Sequence, residues 1–401
     1  MTAANQPRLA VVLSHPTQYY SPWFRWLHGH APLDFRVFYL WDFGVTNRRD
    51  PDFGVSLAWD VDLLSGYDAD FVPNRAAHPG TGHFWGLRNP ALPGRLAAWR
   101  PDAVLVFGYR YASHLRAIAW CRGHGVPLIF RGDSHLLGQA RPGVAKRALL
   151  RLLYRQFAAV TYVGAANRDY FEAFGVPEDR LYFAPHAVDD TLFDPRVAAH
   201  HEGARRLRAE LGLATNRKVV LFAGKLLPRK QPRALLEAFL ATPHRETTLV
   251  FVGDGGEKPA LEARAAQARD ADVRFLPFAN QSAMPACYLL ADLFVLPSVG
   301  GSETWALAVN EAMHMGVPCL VSDVVGCQRD LVTDGETGWV FRAGDPAHLA
   351  DRLAAALAAL ARDAAGFKAR VAQRIAGYTY VQATEGLLRA VAAAGPRSGS
   401  R

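Results

Sequence analysis

Short apolar runs recur along the chain with helical-length segments between them, and this pattern constrains the fold more than any other feature. The runs are rich in Val, Leu, Phe and Ile. Such runs are typical of parallel strands that helices cover on both faces. They lie at 9–13, 35–40, 103–107, 127–130, 159–163 and 181–184 in the first half, and at 219–223, 249–252, 273–276, 293–296, 319–322 and 339–341 in the second. The pattern therefore predicts an α/β protein made of two similar halves.

The boundary between the halves is expected at residues 196–216, a stretch of mixed charge that contains no apolar run of strand length. A chain of 401 residues is long enough for two domains. We assign 1–195 and 217–378 to the two domains, and 379–401 to a C-terminal helix that packs back on the first domain and ends in a frayed tail. Ligands of open α/β sheets bind beyond the carboxyl ends of the strands, so the chemistry is expected in a cleft between the domains.

Composition excludes several classes of protein. Half of the residues are hydrophobic and 20% are charged, which is the balance of a globular protein rather than of a disordered or fibrous one. The net charge of +8 suits anionic ligands, but the cations are not concentrated and no nucleic-acid recognition motif occurs, so nucleic-acid binding is not expected. Four scattered cysteines and no apolar run long enough to cross a bilayer predict a cytoplasmic protein.

Two nucleotide-binding signatures are absent from this sequence, and one metal-binding signature is too frequent to be informative. The chain contains no P-loop, and Lys258 stands where the third glycine of a dinucleotide-binding Gly-x-Gly-x-x-Gly would follow Gly253 and Gly255. Asp-x-Asp, which holds a metal in some transferases, occurs too often to select a site, and we interpret each copy as a pair of solvated turn aspartates. The copies are Asp50/Asp52, Asp60/Asp62, Asp68/Asp70 and Asp270/Asp272. No metal site and no cofactor is predicted.

A basic loop follows the first strand of the second half. Gly224, Lys225 and Lys230 come directly after the run 219–223, and therefore lie at the carboxyl end of a predicted strand. Cations in this position are typical of a phosphate-binding loop.

The segment 297–313 carries two glutamates eight residues apart. It follows the strand 293–296 and turns into a predicted helix, with Ser302 as its N-cap and Glu303 in its first turn. On one helix, Glu303 and Glu311 would lie about 12 Å apart, which suits a grip on two ends of a single ligand. Glu311 is flanked by apolar residues, so a carboxylate there needs a partner.

Residues 145–157 interleave Lys and Arg with Leu and Phe, which predicts a basic amphipathic helix. Two interpretations stay open. The helix either rests on an anionic membrane or packs its apolar face on the core as an ordinary surface helix, which is the commoner case.

Short motifs follow the predicted strands in a fixed order. They are Gly224-Lys225 with Lys230, Val252-Gly-Asp-Gly255, Ala291-Asp-Leu-Phe-Val-Leu-Pro-Ser298, Glu303 with Glu311, Gly316-Val-Pro318, Asp334-Gly-Glu-Thr-Gly338 and, in the first half, Ala184-Pro-His-Ala-Val-Asp189 with Phe193. As a set, they resemble the motifs of the retaining glycosyltransferases of the large bacterial GT-B group (family 4, glycosyltransferase group 1). The resemblance covers most of the chain and is strongest over 218–341.

The resemblance implies two Rossmann-like domains (the GT-B fold) with a nucleotide-diphosphate sugar as co-substrate in the cleft, and no metal. It implies that Lys225 and Lys230 neutralise the diphosphate as it leaves, that Glu303 contacts hydroxyls of the donor sugar, and that Glu311 contacts those of the ribose. The anomeric configuration would be retained without a covalent enzyme intermediate. The acceptor would be a hydroxyl of a saccharide, a lipid-linked molecule or a small molecule.

The chain departs from the family pattern around the donor. The usual Glu-Gly-Phe-Gly is replaced by Glu303 followed by Thr304, Trp305 and Ala306, which adds bulk expected to affect sugar preference. Phe278 follows a proline rather than a glycine near the position of the base. Gly253 is retained.

The first half departs from the pattern as well. The N-terminal Gly-Gly loop is missing, and His15, Gln18 and Tyr19 stand in its place. These three either address the donor phosphate or the acceptor, or belong to a packed loop. Asp133 or His135 is expected to face the acceptor hydroxyl. The irregular segment 41–94, rich in Gly, Pro and aromatic residues, is expected to determine which acceptor is used.

The sequence therefore predicts a metal-independent glycosyltransferase of polysaccharide, glycolipid or glycosylated-metabolite biosynthesis. Two alternatives stay open: a sugar phosphorylase of the same fold, and a nucleotide-sugar-binding subunit without turnover.

Overall fold

Two parallel β-sheets, one from each half of the chain, form the frame of the protein. The computed structural model describes residues 6–45, 48–49, 56–57, 59–140, 142–243, 246–301 and 303–395. The strands of the first half are β1 (Arg8–Leu13), β2 (Asp34–Tyr39), β3 (Arg48–Arg49), β4 (Ser56–Leu57), β5 (Asp68–Phe71), β6 (Ala103–Phe107), β7 (Leu128–Arg131), β8 (Ala159–Tyr162) and β9 (Leu181–Phe183). Those of the second half are β10 (Lys218–Ala223), β11 (Thr247–Val252), β12 (Asp272–Leu276), β13 (Leu293–Leu296), β14 (Cys319–Ser322) and β15 (Gly338–Phe341).

The two sheets share one winding pattern. The first has the order β5-β2-β1-β6-β7-β8-β9 and the second β12-β11-β10-β13-β14-β15, and every pair of neighbouring strands in them is parallel. In each sheet the chain winds outward in one direction and then returns to the centre to wind in the other, as in doubly wound nucleotide-binding folds. The predicted α/β architecture with two Rossmann-like halves is confirmed.

Helices cover both faces of the sheets. They are α1 (Tyr20–His30), α2 (Leu92–Trp99), α3 (Ala112–Gly123), α4 (Val144–Tyr154), α5 (Ala165–Ala173), α6 (Ala198–Glu210), α7 (Pro232–Ala241), α8 (Lys258–Gln267), α9 (Met284–Leu290), α10 (Leu307–His314), α11 (Gln328–Leu331), α12 (Pro346–Ile375) and α13 (Tyr380–Ala394). This double cover explains the continuous apolar runs, because a strand such as β11 has every residue buried.

All twelve predicted strands are present, and the strand β5 is one that the apolar pattern missed. Its sequence, Asp-Ala-Asp-Phe, is half charged because β5 forms an edge of its sheet. Asp68 accepts a hydrogen bond from Arg36 at 2.7 Å, and Asp70 forms an ion pair with Arg95. The interpretation of Asp68 and Asp70 as turn aspartates is therefore wrong.

The last helix, α13, packs on the first sheet and not on the second. Thr379 caps it, the Trp23 indole donates a hydrogen bond to Thr384 at 3.0 Å, and Leu387 is buried among residues of β1 and α1. The segment predicted as a hinge holds α6, which packs against α9 of the second half. The chain thus crosses between the two halves near residue 195 and again near residue 378.

The helix α4 has two apolar faces. Leu150 and Tyr154 are buried against the core, as an ordinary surface helix requires. Val144, Leu149 and Leu152 are instead 85%, 66% and 59% exposed. The core-packing interpretation therefore accounts for only one of these faces. In the part of the chain that the structure describes, no helix has both the length and the apolar character needed to cross a membrane.

Candidate active site in the interdomain cleft

A cavity of about 130 Å³, open to solvent, lies between the two halves at the carboxyl ends of β10 and β11. This is the position expected for a ligand of a doubly wound sheet. Its lining comes from both domains: Gln18, Tyr19 and Trp59 from the first, and Ala223, Gly224, Val252, Gly253, Phe278, Ala279, Gln281, Met284, Tyr288, Ala308 and Glu311 from the second.

Two glycine loops meet at the floor of this cavity. Gly253 has a φ of +138°, and a Cβ at this position would lie 2.1 Å from the carbonyl oxygen of Gly224. Only glycine allows the two loops to approach so closely. The next residue, Asp254, holds Phe278 beside these loops, because its carboxylate accepts hydrogen bonds from the backbone N–H of Phe278 at 2.9 Å and from Lys258 at 2.6 Å. The predicted Gly224, Gly253 and Phe278 therefore line one pocket.

Lys230 and Glu303 form an ion pair beside these loops. One Glu303 oxygen accepts from the Lys230 ammonium and from the Ser298 hydroxyl, the latter at 2.9 Å. Both paired side chains are largely buried, at 19% and 14% exposure. Lys225 directly follows Gly224 and is half-buried. Two lysines therefore follow Gly224 after the end of β10, one half-buried and one paired with Glu303.

Glu303 does not lie on a helix, which corrects the sequence prediction. The helix α10 begins at Leu307, and residues 303–306 form a loop whose last residue, Ala306, has a left-handed φ of +83°. Backbone N–H groups of Gly326 and Cys327 donate to the carbonyls of Glu303 and Trp305 and hold this loop in place. Ser302, the predicted cap, lies outside the described residues. Glu303 and Glu311 therefore belong to a loop and a helix, not to one helix.

Glu311 is buried at the back of the cavity. Its carboxylate accepts hydrogen bonds from the Tyr288 hydroxyl at 2.7 Å and from the Gln281 amide at 3.0 Å, and Tyr19 of the other domain also donates to it. Burial raises its pKa, while the hydrogen bonds from Tyr288, Gln281 and Tyr19 act in the opposite direction. A surface role for Glu311 is excluded, and the partner that its apolar flanks required is present.

Thr304 and Trp305 do not add bulk to this cavity. The Thr304 hydroxyl donates to Asp133 at 2.8 Å. Trp305 is 2% exposed, donates its indole N–H to Asn310 at 2.8 Å, and packs against His186 and Tyr378. Neither residue lines the cavity, and both join the two domains. Their contact with the donor sugar stays a prediction.

His135 holds the Glu303 loop and does not face an open space. Its Nδ1 accepts from the backbone N–H of Leu137 at 3.1 Å, so its Nε2 carries the proton and donates to the carbonyl of Glu303 at 3.1 Å. Burial lowers its pKa. Asp133 is less enclosed, and besides Thr304 it lies 3.5 Å from the buried His186 Nε2. Of the two residues proposed for the acceptor, Asp133 retains an exposed carboxylate.

The loop after β1 divides into two parts. Gln18 and Tyr19 line the cavity, and Tyr19 lies within electrostatic reach of both Glu303 and Glu311. His15 is packed against Trp41 and Phe43, and burial lowers its pKa to about 4. His15 thus fits the packed-loop interpretation, while Gln18 and Tyr19 face the ligand cavity.

Comparison with known proteins decides the family. A family model described as glycosyl transferases group 1 matches residues 204–368, and one described as a glycosyl transferase 4-like domain matches residues 45–186. A D-inositol 3-phosphate glycosyltransferase of Geodermatophilus obscurus is 34% identical over 318 residues, which cover 70% of this chain and 68% of that protein. The chain belongs to the group 1 glycosyltransferases. A protein of the same name from Nocardia farcinica is 33% identical over 239 residues, which are 57% of this glycosyltransferase but only half of that relative's length.

Solved structures agree on the fold of the glycosyltransferase. Anabaena HepE in complex with UDP superposes with a TM-score of 0.73 at 17% identity, covering 96% of this chain and 99% of that one. A glycosyltransferase from Rickettsia africae gives a TM-score of 0.75 at 12% identity, covering 98% and 99%. The predicted GT-B fold is therefore confirmed.

Several residues of the glycosyltransferase cavity were not predicted. Trp59, Gln281 and Tyr288 line it, although none belongs to a recognisable motif. Asp60 accepts from the hydroxyl of Ser282 and, at 3.2 Å, from its backbone N–H, so it is not only a solvated turn aspartate. Among the described residues, no cluster of three or more His, Cys, Asp and Glu side chains is suited to hold a metal ion.

Proposed function

We propose that this glycosyltransferase moves a sugar from a nucleotide-diphosphate sugar to a hydroxyl acceptor with retention of anomeric configuration. The observation that carries the proposal is the Lys230–Glu303 pair beside the glycine loops Gly224 and Gly253. It puts a cation and a hydroxyl-binding carboxylate side by side at the carboxyl end of β10.

The cavity offers a distinct environment to each part of the donor. The aromatic and apolar end near Phe278 and Met284 suits a nucleoside, and we assign Glu311, which also lines the cavity, to the ribose hydroxyls. A Cβ at Gly224 would meet nothing within 4 Å, so we place the diphosphate against this loop. Glu303 and Asp133 would then face the sugar and the acceptor. Relatives at this level of identity are named for D-inositol 3-phosphate, so this compound is the first acceptor to test.

Lys225 and Lys230 supply the positive charge that stabilises the departing diphosphate. The bond between the anomeric carbon and the diphosphate oxygen breaks, and its electron pair leaves with the diphosphate. The acceptor oxygen bonds to the anomeric carbon from the same face and loses its proton to the departing phosphate oxygen. Charge therefore builds on the diphosphate in the transition state, where fixed cations are most effective. Since the lysines carry this charge, the reaction is proposed to need no metal.

The test is a survey of nucleoside diphosphates and their sugar conjugates by thermal unfolding, followed by ¹H NMR of the product from the donor that binds. The expected product has the donor's anomeric configuration, and EDTA does not change the rate. An inverted product would contradict retention. An absolute need for inorganic phosphate would indicate a phosphorylase, and saturable binding without transfer or donor hydrolysis would indicate a non-catalytic subunit.

The exposed face of α4 supports a further proposal, that this helix rests on a membrane surface with anionic lipids. Val144, Leu149 and Leu152 are exposed, and Arg147, Arg151 and Arg155, spaced four apart, form an exposed row beside them. Residues 144–157 contain no acidic side chain. Exposed apolar residues flanked by cations are typical of helices that lie in a bilayer interface.

We expect the protein to sediment with vesicles of phosphatidylglycerol and phosphatidylcholine but not with vesicles of phosphatidylcholine alone. Replacing both Leu149 and Leu152 with serine should weaken binding by about 10-fold, because each loses buried apolar area at the interface. The matched control is Leu64→Ser, which removes an exposed leucine elsewhere on the same domain. Equal binding by the double variant, or no binding by the wild type, would contradict the membrane proposal.

A further inference from the structure

A segment of the first domain reaches across the cleft and touches the second domain at the cavity. Its contact residue is Asp60, whose carboxylate accepts from both the backbone N–H and the hydroxyl of Ser282. Ser282 lies in the 3₁₀ turn Gln281–Ala283 that precedes α9. The neighbouring Gln281 is one of the residues that donate to Glu311. The contact of Asp60 therefore fixes the turn that holds Glu311.

The residue before Asp60 is Trp59, and its ring forms part of the cavity wall. It faces Phe278 of the second domain, with the ring centroids 6.4 Å apart and the planes at 60°. Trp59 thus comes from one domain and Phe278 from the other, and both line the cavity. The two rings pack edge to face and together form an aromatic wall of the cavity, which suits a flat, apolar-faced group lying against it.

The first domain holds Trp59 firmly in this position. A Cβ at Gly44 would lie 3.5 Å from the Trp59 ring, so the loop containing Gly44 supports the ring from behind. The residues that follow Trp59 are held by hydrogen bonds. Arg25 of α1 donates to the carbonyl oxygen of Ser65 at 3.0 Å, and the Tyr67 hydroxyl donates to the carbonyl oxygen of Leu63 at 2.5 Å. The segment 59–67 is therefore anchored to its own domain, and its tip reaches the other.

We propose that Trp59 packs on the nucleobase of the donor and that the Asp60–Ser282 contact latches the domains together over it. This inference rests on the proposed function, because it needs a nucleotide in the cavity. It makes the first domain a direct part of nucleotide recognition. Base stacking on an aromatic ring tolerates any base, so Trp59 adds affinity for a nucleoside over a diphosphate alone and leaves the choice of base to other groups.

The test compares dissociation constants for the best-bound nucleoside diphosphate and for inorganic pyrophosphate, which has no base. Trp59→Ala should weaken nucleotide binding by about 10-fold or more, the range of one base–aromatic stack, and leave pyrophosphate binding within about twofold. Trp59→Phe, which keeps an aromatic face, should recover most of the affinity. The matched control is Trp85→Ala, since Trp85 belongs to the same irregular segment but is 62% exposed and does not line the cavity.

The latch is tested by a double-mutant cycle. Asp60→Ala and Ser282→Ala should each weaken nucleotide binding, and the double variant should be no weaker than Asp60→Ala alone, because the two side chains act through one contact. The melting temperature of each ligand-free variant reports whether it folds.

The outcomes separate this inference from the proposed function. Unchanged nucleotide affinity in Trp59→Ala, with the wild type binding well, overturns the Trp59 proposal and leaves the proposed function intact. Equal losses for nucleotide and pyrophosphate also overturn it, because they indicate a purely structural role. A wild type that binds no nucleoside diphosphate overturns both.

Discussion

Replacing Lys230 with alanine is expected to lower kcat/KM for sugar transfer by about 100-fold or more. Its ammonium group is the cation paired with Glu303. In the proposed function this group exchanges the carboxylate for the diphosphate when the donor binds. Removing one preorganised group that stabilises transition-state charge typically costs this much in rate. Steady-state kinetics with the donor selected by the thermal-unfolding survey, and with an acceptor that it glycosylates, provide the measurement.

Two further variants make the Lys230 prediction specific. Lys230→Met keeps the apolar stem but not the charge, and should lose as much activity as the alanine variant if charge is what matters. Lys218→Ala is the matched control, because Lys218 pairs with Asp292 at 3.0 Å at the opposite end of β10. Activity within about threefold of wild type in a folded Lys230→Ala protein would contradict the assignment.

Replacing Glu303 with alanine is expected to lower kcat/KM by roughly 10- to 100-fold, because hydrogen bonds that involve a charged group are worth more than neutral ones. The Glu303→Ala and Lys230→Ala variants are expected to differ in their affinity for the nucleoside diphosphate. Glu303→Ala removes contacts with the sugar and frees Lys230 from its present partner, so the affinity for the nucleoside diphosphate should stay the same or rise. Lys230→Ala should weaken that affinity.

Calorimetric titration of both variants with the nucleoside diphosphate distinguishes these roles. Glu237→Ala serves as the carboxylate control, since Glu237 forms an exposed ion pair with Arg264 far from the cavity. If Glu303→Ala weakened nucleotide binding as much as Lys230→Ala, then Glu303 would be positioning Lys230 and not binding the sugar.

The sheets could be predicted from the sequence because their strands are buried on both faces, and burial of that kind leaves a continuous apolar run. The strand β5 was not predicted because it lies at an edge of its sheet, where charged residues are tolerated. The glycine loops and the two lysines could also be placed, since each directly follows a strand whose carboxyl end faces the cleft.

Contacts between the domains could not be predicted in the same way. The sequence predicted a start of α10 several residues before the observed one. The residues from Glu303 to Trp305 are instead held as a loop by backbone N–H groups of Gly326 and Cys327, more than twenty positions away. His135 resembled a residue facing the acceptor, yet both its ring nitrogens are used by backbone groups, one of them in the other domain. Trp59 lies in a stretch without periodicity, so only the folded structure shows where its ring points.

Thermal unfolding in the presence of UDP, GDP, ADP and their sugar conjugates tests the central claim most directly, namely that the cavity binds a nucleotide-diphosphate sugar. A ligand that binds only the folded state at 100 times its dissociation constant adds about 2.7 kcal/mol to the free energy of unfolding. We predict that one nucleoside diphosphate and its sugar conjugate raise the melting temperature by a few degrees, and that Lys230→Ala reduces this rise. No rise with any of these ligands at millimolar concentration would contradict the account of the site.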